Sequence, residues 1–185
     1  MTTPEHAASA GSALAALGDR EAIRDCLYRY CRGIDRADEE ALRSAYWHDA
    51  TDQHGAYQGS ATGFIDQALA RLRKGGRRVH MINNILIELH GPAAAVESNF
   101  IALQTRIDAQ GVWHETFLCG RYVDRFERRA GIWRVAARTV VYDWLEERSR
   151  PELADPDTLF GVRQPVGGQA PLDPIYQLLR SFGGN

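Results

Sequence analysis

From residue 79 onward the chain reads as four long β-type segments, 79–90, 94–108, 112–128 and 132–146, parted only by Gly-Pro, Ala-Gln-Gly and Arg-Ala-Gly. Connections this short are hairpin signals, so the four segments predict an antiparallel meander. Strands of that length must twist and curve. Whatever else the chain does, it has to cover the concave face of such a sheet.

The first 76 residues supply the cover. Residues 1–17 read as a loose or weakly helical leader. Asp19 is a good N-cap for a helix in which Ile23, Leu27, Tyr30 and Ile34, with Cys26 beside them, share one face. Gly33 and the run Asp35-Arg36-Ala37-Asp38 mark its end. Asp38 can cap a second helix that runs through Glu39, Glu40, Leu42, Ala45 and Tyr46. A short strand pair around 49–59 turns at His54-Gly55. A third helix spans 61–74, with Phe64, Ile65, Ala68, Leu69 and Leu72 as its apolar side. Helices first and strands later argue an α+β domain with the helices packed on one face of the sheet. A curved antiparallel sheet closed by three N-terminal helices encloses a pocket, the usual setting of a small-molecule site. The domain is expected over 18–147. The remainder, 148–185, is rich in Pro and Gly with a helical patch at 175–182, and reads as a tail packing on its own or a neighbouring subunit.

Charge and cysteine usage exclude several classes. The net charge is −2 with Lys and Arg spread along the chain, which leaves no electrostatic footprint for nucleic acid. The densest basic run, Arg71 to Arg78, reads as a solvated helix end where the helix dipole favours cations. No apolar stretch is long enough for a membrane span, and the N-terminus lacks a signal-peptide pattern. Three cysteines, Cys26, Cys31 and Cys119, give an odd count and no CxxC, so reduced thiols and a cytoplasmic chain are expected. GxGxxG, Walker, GxSxG and HExxH patterns are missing. No histidine pair shows metal-ligand spacing with a carboxylate. The expected chemistry is acid–base work with no cofactor and no metal.

His80 is the sharpest candidate. Imidazole is the side chain that titrates nearest neutrality, although a strand histidine can equally be a structural hydrogen-bond partner. An orienting carboxylate would decide for catalysis, because it fixes the tautomer and stabilises the imidazolium. Asp35, on the flank of the first helix's apolar stripe, is the carboxylate to pair with it. Its alternative is a turn aspartate capping the second helix. Tyr30 is either a core aromatic or a proton donor aimed into the pocket. His54 sits at a turn, a position exposed by default. Along 112–124, alternation puts His114, Thr116, Leu118, Gly120 and Tyr122 on one face and Trp113, Glu115, Phe117, Cys119 and Arg121 on the other. Arg138 interrupts an apolar strand, either as a buried anion partner or as an edge charge.

The stretches "YRYCRGIDRADEEAL" and "RRVHMINN", in this order of helices, hairpin and strands, resemble the SnoaL-like group of the nuclear transport factor two-like (cone-fold) superfamily over roughly 18–147. Within it the chain is most similar to the scytalone dehydratase and bile-acid dehydratase type, and similar in layout to a hexachlorocyclohexane dehydrochlorinase. The resemblance implies that Asp35 orients His80 as the base. It matches Tyr30 to a tyrosine of the bile-acid enzyme, and puts His54 where both dehydratases carry a pocket tyrosine. It has no counterpart near Leu103 to Thr105 for a second acidic or histidine residue. It favours the His114–Tyr122 face as the pocket face. With His80 facing the pocket, simple alternation brings Ile82 and Asn84 to the same side, and Asn84 offers its amide to substrate. Tyr122, His114, Tyr46 and Arg138 complete the expected substrate contacts.

The resemblance and the residues that carry it imply a cofactorless lyase acting on a small hydrophobic, aromatic or alicyclic alcohol, with water as the leaving group. Release of formaldehyde from an aromatic diol, isomerisation and cyclisation stay open. The rivals from other classes are a non-catalytic cone-fold module binding a hydrophobic ligand or a protein, and the small subunit of a ring-hydroxylating oxygenase. A convex sheet face carrying Trp113, Phe117 or Ile101 would expose too much apolar area for a monomer, so a homo-oligomer is expected, a trimer ahead of a dimer.

Overall fold

A computed structural model of the chain describes residues 4–150, 165 and 167–182. Three helices precede and interleave with a hairpin: α1 (Pro4–Arg36), α2 (Glu39–Ser44), β1 (Tyr46–His54), β2 (Tyr57–Ser60) and α3 (Ala61–Leu72). Four long strands come next, β3 (Arg78–His90), β4 (Ala93–Ile107), β5 (Trp113–Arg129) and β6 (Ile132–Arg150), and a last helix, α4, spans Pro174–Phe182. The strands form one sheet in the order β2-β1-β6-β5-β4-β3. The meander is antiparallel, as its short connections require, while β1 lies parallel to β6, so the whole sheet is mixed.

Three extra residues bend the antiparallel meander. Asn84 is unpaired between Asn83↔Asn99 and Ile85↔Ser98, and its φ of 41° is the left-handed conformation that asparagine tolerates better than most side chains. Register also slips between Cys119 and Gly120 and between Arg125 and Phe126, opposite Asp143 and Ala136 of β6. Each bulge increases local twist and curls the sheet around the helices.

The core lies between the concave sheet face and α1, α2 and α3. Ile23, Leu27 and Ile34 of α1 meet Leu42, Phe64, Ile65 and Leu69 there, all buried. Each such side chain contributes about 1.5–3 kcal/mol of transfer free energy. Gly33 is inside α1 rather than at its end, because α2 crosses it. A Cβ on Gly33 would stand 2.7 Å from Leu42 Cγ and 2.8 Å from the Leu42 nitrogen. Asp38 caps α2 as expected, accepting from the Ala41 N–H at 3.0 Å.

α1 is continuous from Pro4, so the helix begins well before the expected start at Asp19, and of the two readings of the leader, loose or weakly helical, residues 4–17 take the helical one. Asp19 is used elsewhere, accepting from Trp133 Nε1 at 2.8 Å and from Arg128 Nη1 at 3.0 Å. Tyr46 opens β1 instead of extending α2. Segment 167–176 docks on its own domain. Arg36 Nε pairs with Asp173 at 3.0 Å, Gln169 Nε2 donates to the Leu72 carbonyl at 2.7 Å, and Tyr176 Oη donates to Asp38 at 2.7 Å. The rest of the expected tail, apart from 148–150 and α4, lies outside the described residues. No helix among the described residues is long and apolar enough to cross a membrane.

Candidate active site

Between the helices and the concave sheet lies a cavity of about 580 Å³, within the usual 300–1,000 Å³ range of small-molecule sites. Aromatic and aliphatic side chains wall it: Tyr30 and Ile34 from α1, Phe64 from α3, Phe100 from β4, Tyr122 from β5 and Tyr142 from β6. Phe100 stacks on Tyr122 with ring centroids 4.5 Å apart. Gly120 makes room for that stack, since a Cβ there would sit 2.9 Å from the Phe100 ring and 2.2 Å from the Val141 oxygen.

His80 and Asp35 meet at one side of this cavity. His80 is the third residue of β3 and pairs with Ala102, whose small side chain is fully buried. Asp35, in the last turn of α1, reaches it across the helix–sheet interface. Its Oδ1 lies 2.7 Å from His80 Nδ1, and its Oδ2 accepts the His80 backbone N–H at 3.0 Å. The two side chains are only 12% and 11% exposed. With Nδ1 donating to the carboxylate, the lone pair resides on Nε2, on the wall of the cavity that His80 lines. The turn-cap alternative for Asp35 is excluded, because Asp38 fills that role.

His54 also lines the cavity, where a turn position would leave it exposed. It stacks on Phe64 at 4.4 Å, and its Nδ1 is 3.5 Å from Oδ1 of Asp52, two residues back on the same face of β1. Asp52 is buried, and its other oxygen accepts from Tyr46 Oη at 2.7 Å. The pattern Asp52-x-His54 on a strand is the sequence signal for this pair, which reading His54 as a turn residue hides.

Behind the aromatic wall runs a charged layer. Arg138, fully buried, forks onto Asp124 with bonds of 2.8 and 2.7 Å. Its guanidinium lies against both the Tyr30 and Tyr122 rings, 4.2 and 4.1 Å from their centroids. Burial alone would push the Asp124 carboxyl up, and the guanidinium opposes that. Burial also pushes the Tyr30 phenol well above its ordinary range, with Arg138 pulling the other way. The Tyr30 hydroxyl is buried and finds no hydrogen-bond partner among the described residues.

Several expected contacts fall elsewhere. Arg138 and Tyr46 support the wall from behind and do not line the cavity. Asn84 is exposed in its bulge, because the extra residue breaks the alternation that would have turned it inward. His114 lies on the inward face with Thr116, Leu118 and Tyr122. It is held by Asp108, at 2.8 Å, and does not line the cavity, whereas the other three do. The basic run is solvated except at Arg78, which is buried and donates to the Gly75 carbonyl at 2.7 Å beyond α3. Among the described residues, no three His, Cys, Asp or Glu side chains come together as a metal site.

A curled sheet and three helices closed over an aromatic cavity, with a carboxylate-backed histidine in its wall, define a cone-fold domain with a small-molecule pocket. The SnoaL-like domain model matches residues 15–139, and the chain belongs to that family of the nuclear transport factor two-like superfamily. Among solved structures, a hexachlorocyclohexane dehydrochlorinase from Novosphingobium barchaimii superposes with a TM-score of 0.66 at 19% identity, over 77% of this chain and 99% of that one. A candidate scytalone dehydratase from Novosphingobium aromaticivorans gives a TM-score of 0.62 at 17% identity, over 76% and 91%. The beta subunit of a candidate aromatic-ring-hydroxylating dioxygenase from the same organism gives 0.56 at 23% identity, over 71% and 94%. No curated protein sequence matches the chain.

Proposed function

We propose that the protein is a cofactor-independent lyase that removes a proton from a small hydrophobic, ring-bearing hydroxylated substrate and expels water. The observation that carries this is the His80–Asp35 pair on the wall of an aromatic cavity. Nε2 of His80 takes a proton from carbon, and the Asp35 carboxylate stabilises the imidazolium that results. The electrons of the C–H bond form the new double bond, and the bond to the leaving group breaks. Tyr30 and His54, both on the cavity wall, are the two candidates to protonate the leaving oxygen. General acid–base catalysis of this kind is worth roughly 10²–10⁴-fold. The dehydrochlorinase and the candidate dehydratase among the structural neighbours are in keeping with elimination chemistry on this fold. The dioxygenase subunit is a neighbour too, but a subunit that serves a partner's metal has no need of a proton-transfer dyad.

The working form is proposed to be a homo-oligomer, a trimer ahead of a dimer. On the convex face, Met81, Ile101, Cys119 and Trp144 lie side by side across four strands, with Val79, Leu103 and Phe117 in the next row. Trp144 is 62% exposed in the single chain, and Val79, Met81 and Leu103 are exposed beside it. Incubating the purified protein with hydroxylated aromatic compounds and monitoring loss of water by mass spectrometry tests the lyase. Product formation that His80→Ala abolishes is the expected result, and equal inertness of both proteins counts against it.

A further inference from the structure

We propose that His54, positioned by Asp52, is the general acid of this site, so that the cavity holds two histidine–aspartate pairs of opposite duty and takes substrates whose leaving group is a hydroxyl. The inference rests on the lyase reading and extends it to the second half of the reaction.

Three observations carry it. Asp52 is a buried carboxylate whose Oδ1 has no hydrogen-bond partner among the described residues, and the Nδ1 of His54, which faces it, is buried and equally without one. The two atoms stand 3.5 Å apart, about half an ångström beyond a hydrogen bond. Catalytic contacts are commonly that long before substrate tightens them. The other Asp52 oxygen is already fixed by Tyr46 at 2.7 Å, and the His54 ring is fixed against Phe64, so little but a small ring rotation separates the pair from closure. Finally, His54 and His80 line one cavity from different elements, β1 and β3.

The chemistry that needs this is specific. Halide leaves as a stable anion and requires no acid. Hydroxide is a poor leaving group, and its departure is eased when a proton reaches the oxygen as the C–O bond breaks. In the balanced step, His80 Nε2 takes the proton from carbon and the C–H electron pair becomes the C=C bond. The C–O pair goes to oxygen, which takes a proton from His54 Nε2 and leaves as water. His80 ends protonated and His54 neutral, and solvent exchange restores both. Tyr30 is the weaker donor because its buried phenol is held far above neutrality.

Two measurements test it. The first is an NMR spectrum of the imidazole nitrogens of the full chain. The groups around His54 are Asp52 on β1 and Tyr142 on β6, with Arg71, Arg78, Glu147 and His80 lining the same cavity. Asp52→Asn, which keeps an acceptor for Tyr46, should shift the His54 Nδ1 resonance and leave those of His80 in place. A His54 Nδ1 resonance that ignores Asp52→Asn overturns the pairing. The second uses a β-hydroxy ketone and the β-chloro ketone of the same carbon skeleton, which eliminate to the same enone. His54→Phe, which preserves the stack on Phe64, and Asp52→Asn should each slow the hydroxy probe at least a hundredfold and the chloro probe less than threefold, whereas His80→Ala slows both. Equal loss on both probes overturns the acid role while leaving the base intact. Turnover of neither probe by the unmodified protein counts against the lyase reading itself, and the acid role falls with it.

Discussion

Asp35 grips His80 twice, Oδ1 on the ring at 2.7 Å and Oδ2 on the backbone N–H at 3.0 Å. One carboxylate thus sets both the tautomer of the imidazole and the position of the strand residue that carries it. The double grip separates charge from geometry. Asp35→Asn retains an oxygen for one of the two bonds but no charge to stabilise an imidazolium. It should cut the elimination rate roughly 10²-fold or more and lower stability by only about 1 kcal/mol, as read by turnover and urea unfolding side by side. A rate loss no larger than the loss of folded protein would remove Asp35 from the chemistry.

The Arg138–Asp124 pair lies behind the aromatic wall and predicts a different signature. Asp124→Ala strands a buried guanidinium and should cost about 3–5 kcal/mol. Replacing both partners together, Arg138→Met with Asp124→Leu, should recover most of that cost, because the buried charge goes with its partner. Urea midpoints of the single and double variants decide it, and a double variant as weak as the single contradicts the account.

At Gly33, helix propensity and packing point in opposite directions. Alanine is favoured over glycine inside a helix by about 1 kcal/mol, yet a Cβ would meet the Leu42 backbone at 2.8 Å. Overpacking of that kind costs about 1–3 kcal/mol, and backbone cannot give way as a flexible side chain can. Gly33→Ala should therefore lower the melting temperature, and a rise would mean that α2 is free to shift.

Cysteine reactivity tests the proposed oligomer. Burial pushes the Cys26 thiol up to about 11 and Cys31 up to about 12. Both stay protonated and enclosed at neutral pH and should resist an aromatic disulfide reagent until the chain unfolds. Cys119 stands beside Trp144 on the convex face. Trp144→Glu should shift sedimentation toward the monomer and make Cys119 the one thiol that reacts rapidly. Unchanged sedimentation would contradict association through this face.

Legibility tracks the range of each interaction. The meander is readable because its connections are local and short, and the α2 cap because Asp38 acts three residues away. Asp19 carries the same kind of cap signal, but it serves Trp133 and Arg128 more than a hundred residues later, which no local pattern reveals. Alternation only sorts β5 into two faces, of which the family resemblance picks the inward one, and it fails at Asn84, where one extra residue reverses every later side chain. The alliance of Asp35 with His80 comes from family resemblance, since periodicity cannot join residues 45 apart. Asp52 escapes notice although the expected strand pair covers it, because placing His54 in the turn takes the histidine off the strand face the two residues share.

The most direct test of the central claim is a mass-spectrometric comparison of native protein and folded His80→Ala against hydroxylated aromatic and alicyclic compounds. Catalysis by the His80–Asp35 pair predicts a product lighter by one water with the native chain and none with the variant. A product formed equally by both, or by neither, would contradict a base at His80 and leave the cavity as a binding site.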